Sequence, residues 1–255
     1  MIYDADTWIG HWPFRPLPRK SANDLLRQMD RHGIEKSLVG HLHGLFYKDS
    51  HEANRELIRA VEDHRDRLVP CGLLNPNYHG WREDLKQCRE EFGMPVLRLA
   101  PGYHEYSYQD GLCDEMVGAA FELEMCVAPI GRLVDARGRH PIDPGRETGS
   151  EGLIGLLEKF PRDRFLLLNF ASFPAELQKE ERPHYADIVR FVGGAGGVMP
   201  TALDNHGVGR FVFGTTMLMR YAKSVFLALD LCELEEEERD RILWKNLAEL
   251  LPEMD

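Results

Sequence analysis

Short apolar runs alternate with longer amphipathic stretches along almost the whole chain. The runs are typical of buried strands, and the stretches repeat their apolar residues with the spacing of a helix. The pattern predicts strands at residues 2–6, 34–41, 67–74, 95–99, 125–130, 164–169, 186–191 and 209–214. It predicts helices at residues 22–32, 51–66, 81–92, 112–123, 151–160, 175–180, 221–231 and 235–251. Every predicted strand except the seventh is therefore followed by a predicted helix.

Residues that favour helix ends support several of these boundaries. Ser21 and Ser50 precede two predicted helices, and a serine hydroxyl there can accept a hydrogen bond from a free amide of the first turn. Gly33 and Gly93 follow the last periodic residues of two helices, where glycine adopts the left-handed conformation easily. We therefore predict that these serines cap helices and that these glycines end them.

Eight strand units in a chain of 255 residues predict an α/β fold, a single-domain (β/α)₈ TIM barrel spanning residues 1–255. The main competitor is an open doubly wound sheet, which would bind a nucleotide at a glycine-rich first turn. The glycine-rich run of this chain instead lies at 193–197, and it lacks both the G-x-G-x-x-G spacing and a Walker lysine. We interpret that run as a flexible loop.

Composition excludes several classes of function. The net charge of −11 disfavours nucleic acid and anionic membranes as partners, and a small anionic substrate would need a local cationic pocket. Neither a basic leader nor an apolar run of spanning length occurs, so we predict no signal peptide and no membrane span. The five cysteines contain no C-x-x-C pair, which favours buried free thiols in a reducing cytoplasm.

Candidate chemistry collects where the predicted strands end. Active sites of TIM barrels are built at the carboxyl ends of the strands, so polar residues there favour catalysis or binding. The predicted ring consists of Asp6, His11, His41, His43, Asn75, Asn77, Arg98, Tyr103, His104, Arg132, Asp135, Arg137, His140, Asn169, Thr215 and Thr216.

Two pairs of residues near the strand ends allow more than one interpretation. Asp4 and Asp6 share one face of the first strand, where they could form an acid–base pair or a hard-cation site, or simply accept hydrogen bonds from loop amides. His41 and His43 lie on one side of an extended segment, where they could bind a metal or hydrogen-bond in the loop wall.

Two loops carry further alternatives. The segment 98–106 combines Arg98, Tyr103 and His104, which suits a pocket for a carboxylate or a ring but also a simple cap on the barrel. In the segment 133–141, Asp135 could orient a histidine while an arginine clamps an anion. The alternative is an ion pair between Asp135 and Arg137 that pins the loop.

Several short motifs together resemble amidohydrolase-related (amidohydrolase 2) TIM-barrel proteins. Ile2-Tyr-Asp-Ala-Asp-Thr-Trp-Ile-Gly resembles the D-x-H-x-H-x-G opening strand of that superfamily. Further matches are Leu73-Leu-Asn-Pro-Asn-Tyr, Val96-Leu-Arg-Leu-Ala-Pro, Arg210-Phe-Val-Phe-Gly-Thr-Thr and Lys245-Asn-Leu-Ala-Glu-Leu-Leu, which span nearly the full length. The resemblance implies a barrel that binds one or two divalent metals, which activate water for hydrolysis or assist decarboxylation. It also implies a cytoplasmic homo-oligomer.

The metal ligands that the resemblance implies are missing from this chain. The two first-strand histidines fall on Asp6 and Trp8, the sixth-strand histidine on Asn169 and the eighth-strand aspartate on Thr216. Trp8 and Thr216 are not ligands for Zn²⁺. We therefore expect no tightly bound metal, although Zn or Mn in a rearranged site of Asp6, His41 and His43 is not excluded.

Two functions remain for such a barrel. The first is metal-free hydrolysis, or less readily decarboxylation, of a small carboxylated or cyclic substrate such as a lactone or amide. Arg98 and Arg137 would then hold the substrate carboxylate, Asp6 or His140 would move the proton, and His104 would donate to the leaving oxygen. The remaining predicted site residues are Asp135 as an orienting group and His11, Tyr103, Arg132 and Asn169 as substrate contacts. The second function is a catalytically silent barrel that binds a ligand or partner through the same pocket.

Overall fold

Eight short parallel strands, paired in sequence order from first to last, form the centre of the molecule. The computed structural model describes residues 1–148, 150–170, 184–191 and 198–254. The strands are β1 Tyr3–Ile9, β2 Lys36–His41, β3 Leu68–Leu73, β4 Val96–Leu99, β5 Cys126–Pro129, β6 Phe165–Leu167, β7 His184–Asp187 and β8 Phe211–Val212.

Hydrogen bonds between β1 and residues 213–218 join the last strand unit to the first. The Ala5 amide donates to the Phe213 carbonyl at 2.8 Å, and the Thr216 amide donates to the Asp6 carbonyl at 2.7 Å. Thr7 and Met217 form a further parallel bridge. The predicted (β/α)₈ barrel is therefore confirmed.

Helices connect the strands wherever the intervening residues are described, as the alternating pattern predicts. They are α1 Ala22–His32, α2 His51–Val61, α3 Trp81–Lys86, α4 Pro101–His104, α5 Gly111–Glu122, α6 Ser150–Lys159, α7 Val198–His206, α8 Ala222–Asp230, α9 Glu236–Asp240 and α10 Asn246–Leu250. A wider π turn at Arg241–Lys245 links α9 to α10, so the predicted helix at 235–251 is continuous but not uniform. None of the helices in the described ranges has the length and apolarity that crossing a membrane would need.

The helix-end predictions are right at three positions and wrong at one. The Ser21 hydroxyl accepts from the Asp24 amide, while Gly33 and Gly93 have φ of 67° and 62°. Ser50, in contrast, already has helical angles and makes no side-chain cap bond. The carboxylate of Asp49 instead accepts from the His51 amide, the first amide of α2, at 3.1 Å.

The remaining differences concern weakly periodic segments. Residues 198–206 form α7, although the sequence pattern there predicts neither a strand nor a helix. Strand β7 ends at Asp187, whereas the sequence predicts a strand at 186–191. The predicted helix at 175–180 and the glycine run at 193–197 lie outside the described residues.

Alternating side chains divide the core into two layers. Leu97 and Leu99 of β4 pack outwards against the helices, whereas Val96 faces the other layer inside the barrel. All five cysteines are buried and free, as the sequence predicts. The interior is therefore a packed core.

Candidate active site at the carboxyl end of the barrel

Asp6 is the centre of a buried polar network that joins three distant strand ends. The Asn169 side-chain amide donates to Asp6 Oδ2 at 2.8 Å, and the Thr216 hydroxyl donates to the same oxygen at 2.8 Å. These three residues are at most 1% exposed. Asn169 and Thr216 both have positive φ, 60° and 55°, so the chain leaves each strand by a left-handed turn that directs the side chain towards β1.

Arg98 fills the barrel interior beneath Asp6. Its guanidinium lies 3.3 Å from Asp6 Oδ1 and donates to the carbonyls of Thr7 and Leu38 at 3.2 and 3.3 Å. The guanidinium carbon stacks 4.3 Å from the centre of the Trp8 ring. Gly40 provides the space, because a Cβ atom there would lie 2.5 Å from the guanidinium. Arg98 is therefore committed to protein contacts and is 0% exposed.

Asp4 occupies a second buried position on β1. Its carboxyl accepts from the Thr215 amide at 3.0 Å and lies 2.5 Å from the Thr215 hydroxyl. Burial raises the pKa of Asp4 to about 7, since desolvation outweighs these hydrogen bonds. Near neutral pH this carboxyl therefore carries a proton for a substantial part of the time.

Asp187 brings a third carboxyl to the network from the end of β7. It accepts from the backbone amide of Asn169 at 3.1 Å. Burial, followed by the negative charge of Asp6, raises the pKa of Asp187 well above its ordinary value. A Cβ atom at Gly214 would lie 2.8 Å from that of Asp187, so glycine permits this close approach. Burial therefore favours the protonated form of Asp187 more than that of an exposed aspartate.

One oxygen of Asp6 has no hydrogen-bond donor among the described residues. Asp6 Oδ1 is buried and accepts no hydrogen bond from the described residues, although Arg98 balances its charge. A buried carboxylate oxygen without a donor is uncommon in folded proteins and calls for an explanation, such as a bound water or a catalytic role. Asn169 contacts both carboxyl groups, because its side-chain amide donates to Asp6 and its backbone amide donates to Asp187.

Arg220 connects this network to a basic groove. Its pKa is lowered by burial and raised by the charges of Asp187 and Asp6, so its guanidinium lies in their field. It donates to the Leu133 carbonyl at 3.0 Å, which leaves other donors free for a ligand. The groove has a volume of about 590 Å³, and the described residues that line it include no Asp or Glu. Its basic side chains are Arg15, Arg19, Arg31, His32, Arg220 and Lys223.

The barrel centre does not fit the metal that the resemblance implies. Of the four positions predicted to replace the ligands, only Asp6 offers a carboxylate, and the cationic guanidinium of Arg98 lies 3.3 Å from it. Trp8 is a fully buried indole stacked on that guanidinium, and the Thr216 hydroxyl is bonded to Asp6. A divalent cation here would face a positive charge and too few donors.

The two histidines after β2 form a separate group at the rim. His43 Nδ1 lies 2.6 Å from Glu56 Oε2, and His41 Nδ1 lies 3.6 Å from the same oxygen. Burial, and then the neighbouring His43, lowers the pKa of His41 to about 4. The rearranged metal set predicted from the sequence contained Asp6, but Glu56 takes that place because Asp6 belongs to the buried network.

The loop after β4 packs against the barrel and does not line the network. His104 is 5% exposed and lies 2.8 Å from the Gly44 carbonyl through Nε2, and burial lowers its pKa. Tyr103 packs edge-on against Trp12 and Phe46, and burial raises its pKa. This arrangement matches the capping alternative for residues 98–106.

The loop after β5 contains an ion pair, as the second interpretation of its charges predicts. The Arg137 side chain is 92% exposed, and its guanidinium donates to both carboxylate oxygens of Asp135 at 3.1 and 3.0 Å. Arg132 pairs with Glu147 at 2.6 Å. His140 is exposed and stacks on Phe14, so it lies over the loop that follows β1. His11, also exposed, donates its backbone amide to the His43 ring at 3.3 Å.

Three residues of these sites were missed from the sequence. Asp187 lies inside a predicted strand, and an acidic residue within that apolar run is the signal that could have identified it. Glu56 and Arg220 carry no such signal, because one occupies an ordinary helix position and the other a segment without periodicity. Their roles depend on neighbours that are distant in sequence.

Comparisons with known proteins support the fold. No family model and no curated protein sequence matches the chain. Among solved structures, the 5-carboxyvanillate decarboxylase of Sphingomonas paucimobilis superposes with a TM-score of 0.75 at 11% identity, covering 98% of both chains. A dihydroxybenzoic acid decarboxylase of a Polaromonas species, with bound manganese and 2-nitroresorcinol, has a TM-score of 0.73 at 15% identity over 98% of this chain and 96% of that one.

A third structure extends the comparison to a hydrolase. A protein of Acinetobacter baumannii described as a probable 2-pyrone-4,6-dicarboxylic acid hydrolase, with citric acid bound, has a TM-score of 0.71 at 12% identity over 98% of both chains. At these identities the likeness establishes the TIM-barrel fold. The resemblance found in the sequence motifs is thereby confirmed at the level of the fold.

Proposed function

We propose that this barrel is a member of the amidohydrolase-related superfamily and hydrolyses a small carboxylated or cyclic substrate without a metal at the barrel centre. The sequence motifs and the shared barrel support the family. The neighbouring structures are proteins named for aromatic or pyrone carboxylic acids. A basic groove on a chain of net charge −11 supports an anionic substrate.

The observation that carries this proposal is that Asn169 contacts two carboxyl groups, Asp6 and Asp187, whose surroundings differ. Asp6 Oδ1 is an acceptor without a donor, and burial together with the charge of Asp6 raises the pKa of Asp187, which favours its protonated form. General acid–base catalysis needs one group of each kind within reach of the reacting bond. Both groups are aspartates, so their surroundings and not their residue type give one the role of base and the other the role of acid.

For a lactone, the proposed steps are as follows. Asp6 Oδ1 accepts a proton from a water molecule, and the water oxygen forms a bond to the carbonyl carbon. The bond from that carbon to the ring oxygen breaks, and Asp187 donates its proton to the leaving oxygen. Proton transfer from Asp6 to Asp187, directly or through water, restores the starting state. For decarboxylation, the same Asp187 proton would go to the carbon that loses carbon dioxide.

Arg220 is the proposed contact for the substrate carboxylate. It lines the basic groove and lies in the field of Asp187 and Asp6, so a carboxylate bound to it would approach the acid–base pair. The sequence suggested Arg98 and Arg137 for this role, but Arg98 is buried on backbone carbonyls and Arg137 is paired with Asp135. We assign outer contacts with the substrate to His11 and His140, which are exposed at the rim.

The test is turnover by chelator-treated protein on a panel of small lactones, pyrone carboxylates and hydroxylated aromatic acids, with products separated by chromatography. Asp187→Asn should lower kcat by about 10²–10⁴-fold, since it removes the proton donor. Arg220→Met should mainly raise KM. Arg82→Met, which removes an exposed arginine paired with Glu115, is the matched control and should leave both constants unchanged. Unchanged kcat in Asp187→Asn would refute the proposed acid.

A second function is favoured by one specific observation. Arg98 and His104, two groups that the sequence suggested for substrate chemistry, are both engaged by backbone carbonyls. A barrel that only binds a ligand would show this commitment. In that case carboxylates of the panel should raise the melting temperature of the wild type but not of Arg220→Met, and no panel member should be converted.

A further inference from the structure

A compact group of three metal-binding side chains lies at the rim, outside the network of Asp6. His41 ends β2, His43 lies in the turn that follows, and Glu56 projects from α2. Their ligand atoms all lie within 4.8 Å of one another, and among the described residues no other His, Cys, Asp and Glu side chains form such a group.

The distances suit a small divalent ion. Zn²⁺ binds imidazole nitrogen and carboxylate oxygen at about 2.0–2.2 Å, which places neighbouring ligands of a tetrahedral site roughly 3.4 Å apart. Glu56 Oε2 lies 2.6 Å from His43 Nδ1 and 3.6 Å from His41 Nδ1. Shifts of less than about 1 Å would bring these two separations to the tetrahedral value, and all three ligand atoms already lie within 4.8 Å of one another. Binding would also replace the 3.4 Å hydrogen bond that His41 Nδ1 accepts from the His43 amide.

The surrounding residues hold the three side chains in place. His41 packs against Gly10, where a Cβ atom would lie only 2.8 Å from the ring. The Tyr47 hydroxyl donates to Glu56 Oε1 at 3.2 Å, which orients the carboxylate and leaves Oε2 directed at the histidines. Such an outer contact is common around metal ligands. The site is therefore supported by β1, β2 and α2 together.

One side of this group is open to solvent, because two of its three side chains are partly exposed. His41 is 9% exposed, whereas His43 and Glu56 are 28% and 32% exposed. Three protein ligands with a solvent-facing side are typical of zinc sites that keep a position for water. Two imidazoles with one carboxylate favour Zn²⁺ over the hard cations Mg²⁺ and Ca²⁺, which prefer oxygen ligands.

We propose that His41 Nδ1, His43 Nδ1 and Glu56 Oε2 form a zinc site with an open fourth position, joining the turn after β2 to α2. The site is separate from the proposed acid–base pair and independent of its activity. Binding moves the proton of the His43 ring from Nδ1 to Nε2, because Nδ1 must offer its lone pair to the ion. The 3.3 Å contact that His43 Nε2 accepts from the His11 amide is then lost.

The experiment is a titration of chelator-stripped full chain with ZnCl₂ by calorimetry, with MgCl₂ as the comparison. We expect one Zn²⁺ per chain, no comparable Mg²⁺ binding, and a melting temperature that rises with Zn²⁺. Glu56→Gln and His43→Gln should each weaken Zn²⁺ binding at least tenfold. His64→Gln, which changes a histidine outside the group, is the matched control and should bind like the wild type.

Cobalt provides a second readout that does not depend on stability. Co²⁺ in the wild type should give the intense visible absorption of a four-coordinate site, and Glu56→Gln and His43→Gln should lose it while His64→Gln retains it. Absence of stoichiometric Zn²⁺ binding, or equal Zn²⁺ affinity in Glu56→Gln, His43→Gln and His64→Gln, would overturn the proposal.

Discussion

Two polar groups lie at the carboxyl end of this barrel, and they differ in how the protein uses their side chains. In the buried network, Asp4, Asp6 and Asp187 are at most 1% exposed and are held by amides, hydroxyls and a guanidinium. In the rim group, His41, His43 and Glu56 are 9–32% exposed and contact mainly one another. Protein partners engage most polar atoms of the buried network, whereas the rim group has a side that is open to solvent.

The difference shows that position on the barrel end does not by itself make a residue reactive. A buried charge must be balanced by the protein, so most of the network atoms are engaged by protein partners, although Asp6 Oδ1 accepts no hydrogen bond from the described residues. A partly exposed group is solvated by water and can exchange that water for a ligand. The free energies of unfolding of selected variants test this contrast.

The largest effect is expected from removing the cation of the buried network. Arg98→Met leaves the charge of Asp6 buried without its counterion and should lower the free energy of unfolding by about 3–5 kcal/mol. Chemical denaturation measures this loss. The double variant Arg98→Met/Asp6→Asn removes both charges and should recover part of it; a double variant as unstable as the sum of the two single changes would contradict the pairing.

The next effect concerns pH. Native Asp4 has a pKa of about 7 against an ordinary value of 3.8, so between these values the folded state binds more protons than the unfolded state. Stability from this group is therefore highest at low pH and falls as pH rises towards 7, by up to about 3 kcal/mol between pH 5 and 7. Asp4→Asn stays neutral and should lack this slope.

The comparison of wild type with Asp4→Asn measures that slope. The buried Asp187 is present in both proteins, and because the charge of Asp4 contributes to its raised pKa, the difference also contains the coupling between the two carboxyls. Denaturant unfolding at pH 5, 6, 7 and 8 gives the two curves. Parallel curves would show that Asp4 is already charged at pH 5 in the folded state.

A smaller effect should follow from filling the space around Arg98. Gly40→Ala places a methyl group 2.5 Å from the guanidinium and should cost about 1–3 kcal/mol through forced repacking. Gly155→Ala, on α6, has nothing within 4 Å of the added atom and serves as the control, with unchanged or slightly higher stability. Equal unfolding midpoints for the two variants would argue against the close packing of Arg98.

The smallest effect is expected at the rim. Tyr47→Phe removes the hydroxyl that donates to Glu56, and because both residues are partly exposed the loss should be only about 0.5 kcal/mol. The same variant should loosen the orientation of the Glu56 carboxylate. A loss as large as that of Arg98→Met would show that the rim group is a structural network like the buried one.

The local pattern of the chain was sufficient to predict most of the fold. The alternation of apolar runs and helical stretches predicted the order of the elements, and the bounds of α1 were predicted correctly together with its Ser21 cap and Gly33 end. The Ser50 cap was wrong because Ser50 itself has helical backbone angles, whereas a capping residue usually has an extended conformation. α7 was missed because its sequence has no clear helical period.

The sequence also placed Asp6, Asn169 and Thr216 at the carboxyl end of the barrel, since each follows or ends an apolar run. It gave an ion pair between Asp135 and Arg137 as one of two alternatives, because two opposite charges two residues apart can meet locally. Such assignments need only short-range information.

What only the tertiary structure decided is the partner of each polar group. Asp6 meets Asn169 and Thr216 across 163 and 210 residues of chain, and Arg98 reaches Asp6 from the fourth strand. Whether a carboxyl is charged, protonated or free depends on burial and on the donors around it, which no local pattern encodes. The apolar periodicity determined the barrel, whereas its closure determined which polar atoms remain available.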